Sequence, residues 1–159
     1  MKITVLAVGK VKEKFYVQAI AEYAKRLGRY CKLEIIEVAD EKTPDGAGEA
    51  VCRKIREKEG ERLLAHIRDG MYVTALAIEG KERTSEELAA RLDSLTVRGE
   101  SHLAFVIGGS LGLSEEVMTL ADEALSFSRM TFPHQLMRVI LLEQIYRSFR
   151  ILKGEPYHK

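Results

Sequence analysis

The sequence predicts one α/β domain in which a mostly parallel sheet is flanked by helices. Short apolar runs rich in β-branched residues alternate along the chain with longer segments of helical periodicity. Such alternation is typical of βαβ units, whose strands run parallel and are covered by helices on both faces. No Pro- or Ser-rich linker divides the 159 residues, so we expect a single domain over residues 1–159.

Five apolar runs have the length and composition of buried strands, and each is bounded by Gly, Asp or charged residues. The predicted strands cover residues 3–8, 33–38, 71–78, 103–107 and 125–127. The segments of helical spacing between them cover residues 15–27, 49–67, 85–95, 114–121 and 133–152. Thr84 and Ser114 each place a hydroxyl ahead of acidic residues, which predicts two capped helix starts.

The last predicted helix is apolar over most of its circumference, unlike a helix that buries a single stripe. Its apolar residues are Leu136, Met137, Val139, Ile140, Leu141, Leu142, Ile145 and Phe149. One sheet cannot bury all of these side chains, so the helix is either central to the domain or covered by a second subunit. Its terminal position favours the second alternative, and we expect a homodimer.

Three glycines, Gly108, Gly109 and Gly112, follow the fourth predicted strand, where ligands of parallel sheets usually bind. A dinucleotide fingerprint would instead follow the first strand, which ends in the single Gly9, so NAD or FAD binding is disfavoured. No G-x-x-x-x-G-K-[ST] phosphate loop is present. Ser110 lies among the glycines but outside a G-x-S-x-G elbow, which argues against a serine hydrolase.

Composition indicates a soluble globular protein, since 46% of the residues are hydrophobic and 31% are charged. Charges resume at Lys10, too soon after the first apolar run for a signal peptide or a membrane span. Cys31 and Cys52 form no C-x-x-C pair, so we expect a reduced, cytoplasmic setting. Residues 128–159 hold six Lys or Arg against two Glu, a basic end that suits phosphate or a solvated helix face equally well.

The four histidines are scattered singly, without the spacing of metal ligands, so we expect no metal ion. His134 follows a proline at a helix start, where a structural role is favoured over shaping of a pocket. His158 lies between Tyr157 and Lys159, so a titratable nitrogen, a stacking ring and a cation stand in consecutive positions. Residues 40–48 have turn chemistry throughout and form either a plain connector, the favoured interpretation, or a lid.

Four segments together resemble the ribosomal large-subunit methyltransferase H family over essentially the whole chain. They are Ile107-Gly-Gly-Ser-Leu-Gly-Leu, Leu125-Ser-Phe-Ser-Arg-Met-Thr-Phe-Pro-His, Leu142-Glu-Gln-Ile-Tyr-Arg and Tyr157-His-Lys. The resemblance implies a small SPOUT-class enzyme with a C-terminal trefoil knot that works as a homodimer. It also implies methyl transfer from S-adenosyl-L-methionine to N3 of a pseudouridine in 23S rRNA, with the assembled ribosome as substrate.

Carried over by position, the resemblance implies a donor site built largely from backbone. Its residues would be Leu76, Gly108, Phe127, Ser128, Arg129, Met130, Thr131 and Phe132. His158 would orient or deprotonate the base, Tyr157 would pack beside it, and Lys159 and Arg129 would contact RNA. Arg138 has two interpretations, a phosphate contact or a structural ion pair with Glu143 or across the dimer.

Two other functions remain open on the sequence alone. The same sheet edge and basic tail would also serve a non-catalytic RNA- or nucleotide-binding module. A SPOUT methyltransferase that acts on transfer RNA is the second alternative. Binding of the methyl donor separates the first alternative from an enzyme, and mapping of the methylated nucleotide separates the second.

Overall fold

A computed structural model describes all 159 residues as five strands and five helices in alternation. In chain order these are β1 Lys2–Val8, α1 Lys14–Leu27, β2 Lys32–Val38, α2 Glu49–Leu64, β3 Tyr72–Glu82, α3 Ser85–Val97, β4 His102–Ile107, α4 Glu115–Leu120, β5 Glu123–Ser126 and α5 His134–Leu152. The sheet has the order β2-β1-β4-β3-β5, and every neighbouring pair is parallel. The predicted α/β fold is therefore confirmed.

The sheet is covered by helices on both faces, as alternating βαβ units require. Along β1, the side chains of Ile3, Val5 and Ala7 enter one core cluster, whereas those of Leu6 and Val8 enter the other. The first cluster includes residues of α1, α3 and α5, and the second includes residues of α2 and α4. Successive side chains of a strand point to opposite faces, so apolar runs without polar alternation are what a doubly covered sheet needs.

The two largest differences between predicted and observed boundaries have identifiable reasons. The strand expected to end at residue 78 continues to Glu82, because β3 leaves its ladder with β5 at Leu76 and pairs with β5 again at Lys81. The helix expected to reach residue 67 ends at Leu64, because the amides of His66 and Ile67 bond to carbonyls three residues back and tighten the chain into a turn. Periodicity alone shows neither event.

The two predicted helix caps are confirmed. Thr84 and Glu87 form a capping box, in which each side chain accepts a hydrogen bond from the other residue's backbone N–H. The Ser114 hydroxyl accepts from the Val117 amide at the start of α4. No helix combines the length and apolarity that crossing a bilayer requires.

Arg138 joins α5 to the ends of β1 and β2. Its side chain is 2% exposed, and its Nη1 lies 2.5 Å from Glu37 Oε2. Nη2 donates to the carbonyl oxygens of Val8 and Gly9 at 2.9 and 2.6 Å. The structural ion-pair interpretation of Arg138 is therefore confirmed, but the expected partner was wrong, because Glu143 pairs with Arg147. The phosphate-contact interpretation was wrong, because the guanidinium is buried and bonded to Glu37 and two backbone carbonyls. Arg138 therefore has a structural role.

We expect Arg138→Ala to lower the free energy of unfolding by about 3–5 kcal/mol, because the Val8 and Gly9 carbonyls lose the guanidinium and the Glu37 carboxylate keeps only the Val11 amide as a partner. Urea denaturation followed by circular dichroism measures the loss. The control is Arg129→Ala, which removes an exposed arginine without an ion pair and should change stability by less than about 0.5 kcal/mol. A loss below about 1 kcal/mol for Arg138→Ala would contradict the assignment.

Candidate functional site

A cleft of about 800 Å³ opens at the carboxyl edge of the sheet. Its walls are the end of β3, the glycine loop after β4, the loop after β5 and the first turn of α5. Twelve of its 22 lining residues are hydrophobic, and the polar groups it offers include the backbone of the glycine loop. A volume in this range and a largely apolar lining suit a small organic ligand.

One wall of the cleft exists because β3 is irregular. Leu76 and Lys81 both pair with Leu125 of β5, so the residues between them leave the ladder. Three of these residues, at positions 77–79, line the cleft. The fourth, Gly80, passes so close to β5 that a Cβ there would lie 2.7 Å from the backbone of Ala124. The bulge therefore exposes backbone and side chains of residues 77–79 to a ligand.

Gly108 is required by the fold of its own loop. A Cβ on Gly108 would lie 2.7 Å from the carbonyl carbon and oxygen of Gly112, a distance that no side chain tolerates. The loop folds back through a hydrogen bond of 3.1 Å from the Gly112 amide to the Gly109 carbonyl. A glycine after a strand can also be needed for close approach of a ligand to the backbone. In the structure, the atoms nearest to a side chain at position 108 are the backbone atoms of Gly112, where the loop folds back.

The loop after β5 is shaped by two short serine hydrogen bonds. Ser126 Oγ donates to the Ser128 carbonyl at 3.1 Å, and the Met130 amide donates to Ser128 Oγ at 2.9 Å. The loop places Met130 at the mouth of the cleft, where its side chain is 74% exposed. Arg129 is also exposed but does not line the cleft. An exposed apolar side chain at a cleft mouth favours contact with a ligand or partner.

Behind the glycine loop lies a carboxyl group that sequence reasoning missed. Glu59 of α2 is 4% exposed, and a Cβ on Gly109 would lie 3.1 Å from its Oε1. Oε2 accepts a hydrogen bond of 2.9 Å from the Glu41 amide, whereas Oε1 has no partner. Burial raises the pKa of the Glu59 carboxyl. A single Glu in the highly charged α2 carries no sequence signal that separates it from its solvated neighbours.

Side chains of α2 near Glu59 also hold the start of the 40–48 loop. Arg62 donates to Glu41 Oε2 and to the Ala39 carbonyl, both at 2.8 Å. Lys58 adds a longer ion pair with Glu41. These contacts hold the beginning of the loop on α2, beside the glycine loop. The two interpretations of residues 40–48, the favoured connector and the alternative lid, both stay predictions.

The C-terminal tail lies on α5 and α3, outside the cleft of its own chain. His158 Nε2 is 2.6 Å from Glu86 Oε1, and Arg147 Nη1 is 3.1 Å from His158 Nδ1. A guanidinium can only donate, so Nδ1 accepts and the ring proton stands on Nε2, which donates to Glu86. Both nitrogens of His158 are therefore occupied in this arrangement.

Tyr157 holds the tail against α5. Its hydroxyl donates to Glu143 Oε2 at 3.1 Å, and the Arg147 guanidinium lies 4.7 Å from the centre of its ring. The ring packs edge-on against Tyr146 with centroids 4.9 Å apart. Burial, followed by the Glu143 carboxylate, raises the pKa of Tyr157 to about 12. The phenol therefore stays protonated and serves as a packing and hydrogen-bonding group.

The structure brings together most of the residues expected at the donor site. Those that line the cleft are Leu76, Gly108, Phe127, Ser128, Met130, Thr131 and Phe132. Arg129 lies on the adjoining loop, and Tyr157, His158 and Lys159 lie elsewhere on the same chain. A further histidine, His134, does line the cleft, although the sequence favoured a structural role for it.

The chain belongs to the SPOUT methyltransferase family, because the family described as "Predicted SPOUT methyltransferase" matches residues 1–158. The resemblance seen in the sequence is confirmed by whole-length relatives. The chain is 64% identical over 159 residues, the full length of both, to the ribosomal RNA large subunit methyltransferase H of Bifidobacterium adolescentis. The protein of the same name from Clostridium beijerinckii is 59% identical, again over the full length of both chains.

A solved structure supports the fold at much lower sequence similarity. It is a probable methylase family protein from Haemophilus influenzae Rd KW20, 12% identical, with a TM-score of 0.55. The match covers 99% of this chain and 70% of that chain. At this identity the likeness concerns the architecture alone.

Proposed function

We propose that this protein transfers a methyl group from S-adenosyl-L-methionine to N3 of a pseudouridine in 23S rRNA of the assembled ribosome, in the cytoplasm and as a homodimer. The observation that carries the proposal is the cleft at the carboxyl edge of the sheet, formed by the glycine loop, the β3 bulge and the loop after β5. Full-length relatives named for ribosomal RNA methylation support the RNA class of the substrate.

The cleft suits the methyl donor in size and chemistry. An adenosyl group needs apolar walls and a few backbone hydrogen bonds, which Leu76, Phe127 and the glycine loop supply. Ser128 and the 130–132 segment would complete the site, with Arg129 beside it. The donor, when bound, supplies an electrophilic methyl group on a sulfonium. The protein then holds the donor and the base in line, which accounts for much of the acceleration.

Free positive charge at the cleft edge and on the C-terminal tail supports a polyanionic substrate. Arg129, Lys10, Lys12 and Lys159 are exposed and form no ion pair within the chain. Lys10 and Lys12 follow β1, so they lie at the edge of the sheet where the cleft opens. Phosphate contacts of this kind position an RNA without reading its sequence.

The position of the tail supports a dimeric site. In the proposed dimer, the Tyr157-His158-Lys159 segment of one protomer completes the cleft of its partner, since it lies outside its own cleft. His158 would orient the base, Tyr157 would pack beside it, and Lys159 would contact phosphate. Phe15 of α1, which packs on α5, is 61% exposed and supplies apolar surface for the second protomer.

The decisive experiment incubates the purified protein and labelled S-adenosyl-L-methionine with intact ribosomes, separated subunits and free rRNA. We expect label mainly in assembled particles, because proteins recognise folded RNA largely by its shape, which the assembled ribosome presents. Nuclease digestion and mass spectrometry then identify the methylated nucleotide. Label in transfer RNA, or donor binding without any transfer, would overturn the proposal.

We expect Gly108→Ala to weaken donor binding at least tenfold, because the new Cβ would displace Gly112 and reshape the loop. Isothermal titration calorimetry with S-adenosyl-L-methionine measures the affinity. The matched control is Gly48→Ala, since a Cβ at Gly48 meets no atom within 4 Å. Unchanged donor affinity in Gly108→Ala would show that the donor does not use this cleft.

We expect two inactive variants to restore each other if the tail works in the partner's cleft. His158→Ala should lose transfer but keep donor affinity, whereas Gly108→Val should lose donor binding. After the two are unfolded together and refolded in equal amounts, half of the dimers are mixed and each has one intact site, so about a quarter of wild-type activity should return. Absence of any recovery in verified heterodimers would place the tail in its own cleft.

A further inference from the structure

His134 is the first residue of α5, and its ring lines the donor cleft. Its Nε2 lies 3.4 Å from the point where a Cβ on Gly9 would stand, so the ring also borders the end of β1. Neither nitrogen takes part in a hydrogen bond within the chain. His158 differs in this respect, because both of its nitrogens are occupied by Arg147 and Glu86.

The surroundings of His134 favour the neutral ring. Burial, followed by the Arg138 guanidinium one turn along α5, lowers the pKa of His134, and Asp40 opposes this effect. A pKa lowered from the ordinary value leaves the imidazole uncharged at neutral pH, with a lone pair free to accept a proton. The other ionisable groups of the cleft are Arg56, which pairs with Glu49, and Glu79, which is exposed.

The proposed reaction needs a neutral group that can accept a proton. The N3–H of a pseudouridine is an imide proton, and nitrogen becomes a good nucleophile only as this proton leaves. Because Nδ1 of His158 already accepts from Arg147 and Nε2–H already donates to Glu86, His158 has no free lone pair in the observed arrangement. His134 has one, and it belongs to the cleft that holds the donor.

We propose that His134 is the proton acceptor for the N3–H of the target base, an inference that rests on the proposed function. The N3–H bond breaks, and the proton passes to a ring nitrogen of His134. The N3 electron pair forms a bond to the methyl carbon, while the carbon–sulfur bond breaks and its electrons stay on sulfur as a thioether. The resulting imidazolium returns its proton to water, and the Arg138 charge nearby favours that release.

The test measures single-turnover methyl transfer on assembled ribosomes between pH 5.5 and 9 for the wild type and His134→Gln. We expect the wild-type rate to rise with pH through an inflection below the ordinary imidazole value, about 6.5. In His134→Gln the rate should fall about 10²–10⁴-fold and the inflection should vanish. Donor affinity should stay unchanged, and added imidazole should restore part of the rate.

His66→Gln is the matched control, because His66 lies outside the donor cleft, and it should leave the rate and the pH profile unchanged. His134→Asn, with unfolding monitored by circular dichroism, separates a folding defect from a chemical one. A wild-type rate and pH profile in His134→Gln would overturn the assignment. A parallel loss of rate and donor affinity without imidazole rescue would also overturn the assignment. That result would mean that His134 only shapes the wall of the cleft. An inactive wild type would instead refute the proposed function as well.

Discussion

The buried guanidinium of Arg138 is the interaction on which the arrangement of the site depends. It fixes α5 against the carboxyl ends of β1 and β2 by an ion pair with Glu37 and two backbone hydrogen bonds. Because α5 begins in the cleft and carries the tail near its other end, the contacts of Arg138 set the position of both proposed functional regions. A charge buried this deeply is stabilising only while all of its partners stay in place.

The sequence predicted the order and type of all ten elements, because uninterrupted apolar runs and capping residues are local signals. It did not predict the bulge of β3, which arises where β5 pairs twice with the same strand. Nor did it predict that Arg138 contacts Glu37, because 101 residues separate them and only the folded chain brings them together. The trefoil knot implied by the family resemblance stays a prediction.

The candidate site, like the fold, was predicted only in part from the sequence. Its glycine loop and the loop after β5 were visible as motifs, and the structure places seven of the eight expected donor residues in one cleft. The burial of Glu59 behind the glycine loop and the place of His134 in the cleft depend on what surrounds each side chain in three dimensions, and no motif carries that information. The sequence predicted the tail as a functional segment, and the structure places this segment outside the cleft of its own chain.

The bulge in β3 has a consequence for how the cleft can change. Residues 77–79 contribute to its wall while they are released from strand pairing, so their side chains can be exchanged without loss of a backbone ladder. Gly80, packed against β5, is the fixed point that keeps the bulge in place. Substitutions at these three positions can therefore change the ligand preference of the enzyme at little cost to its stability.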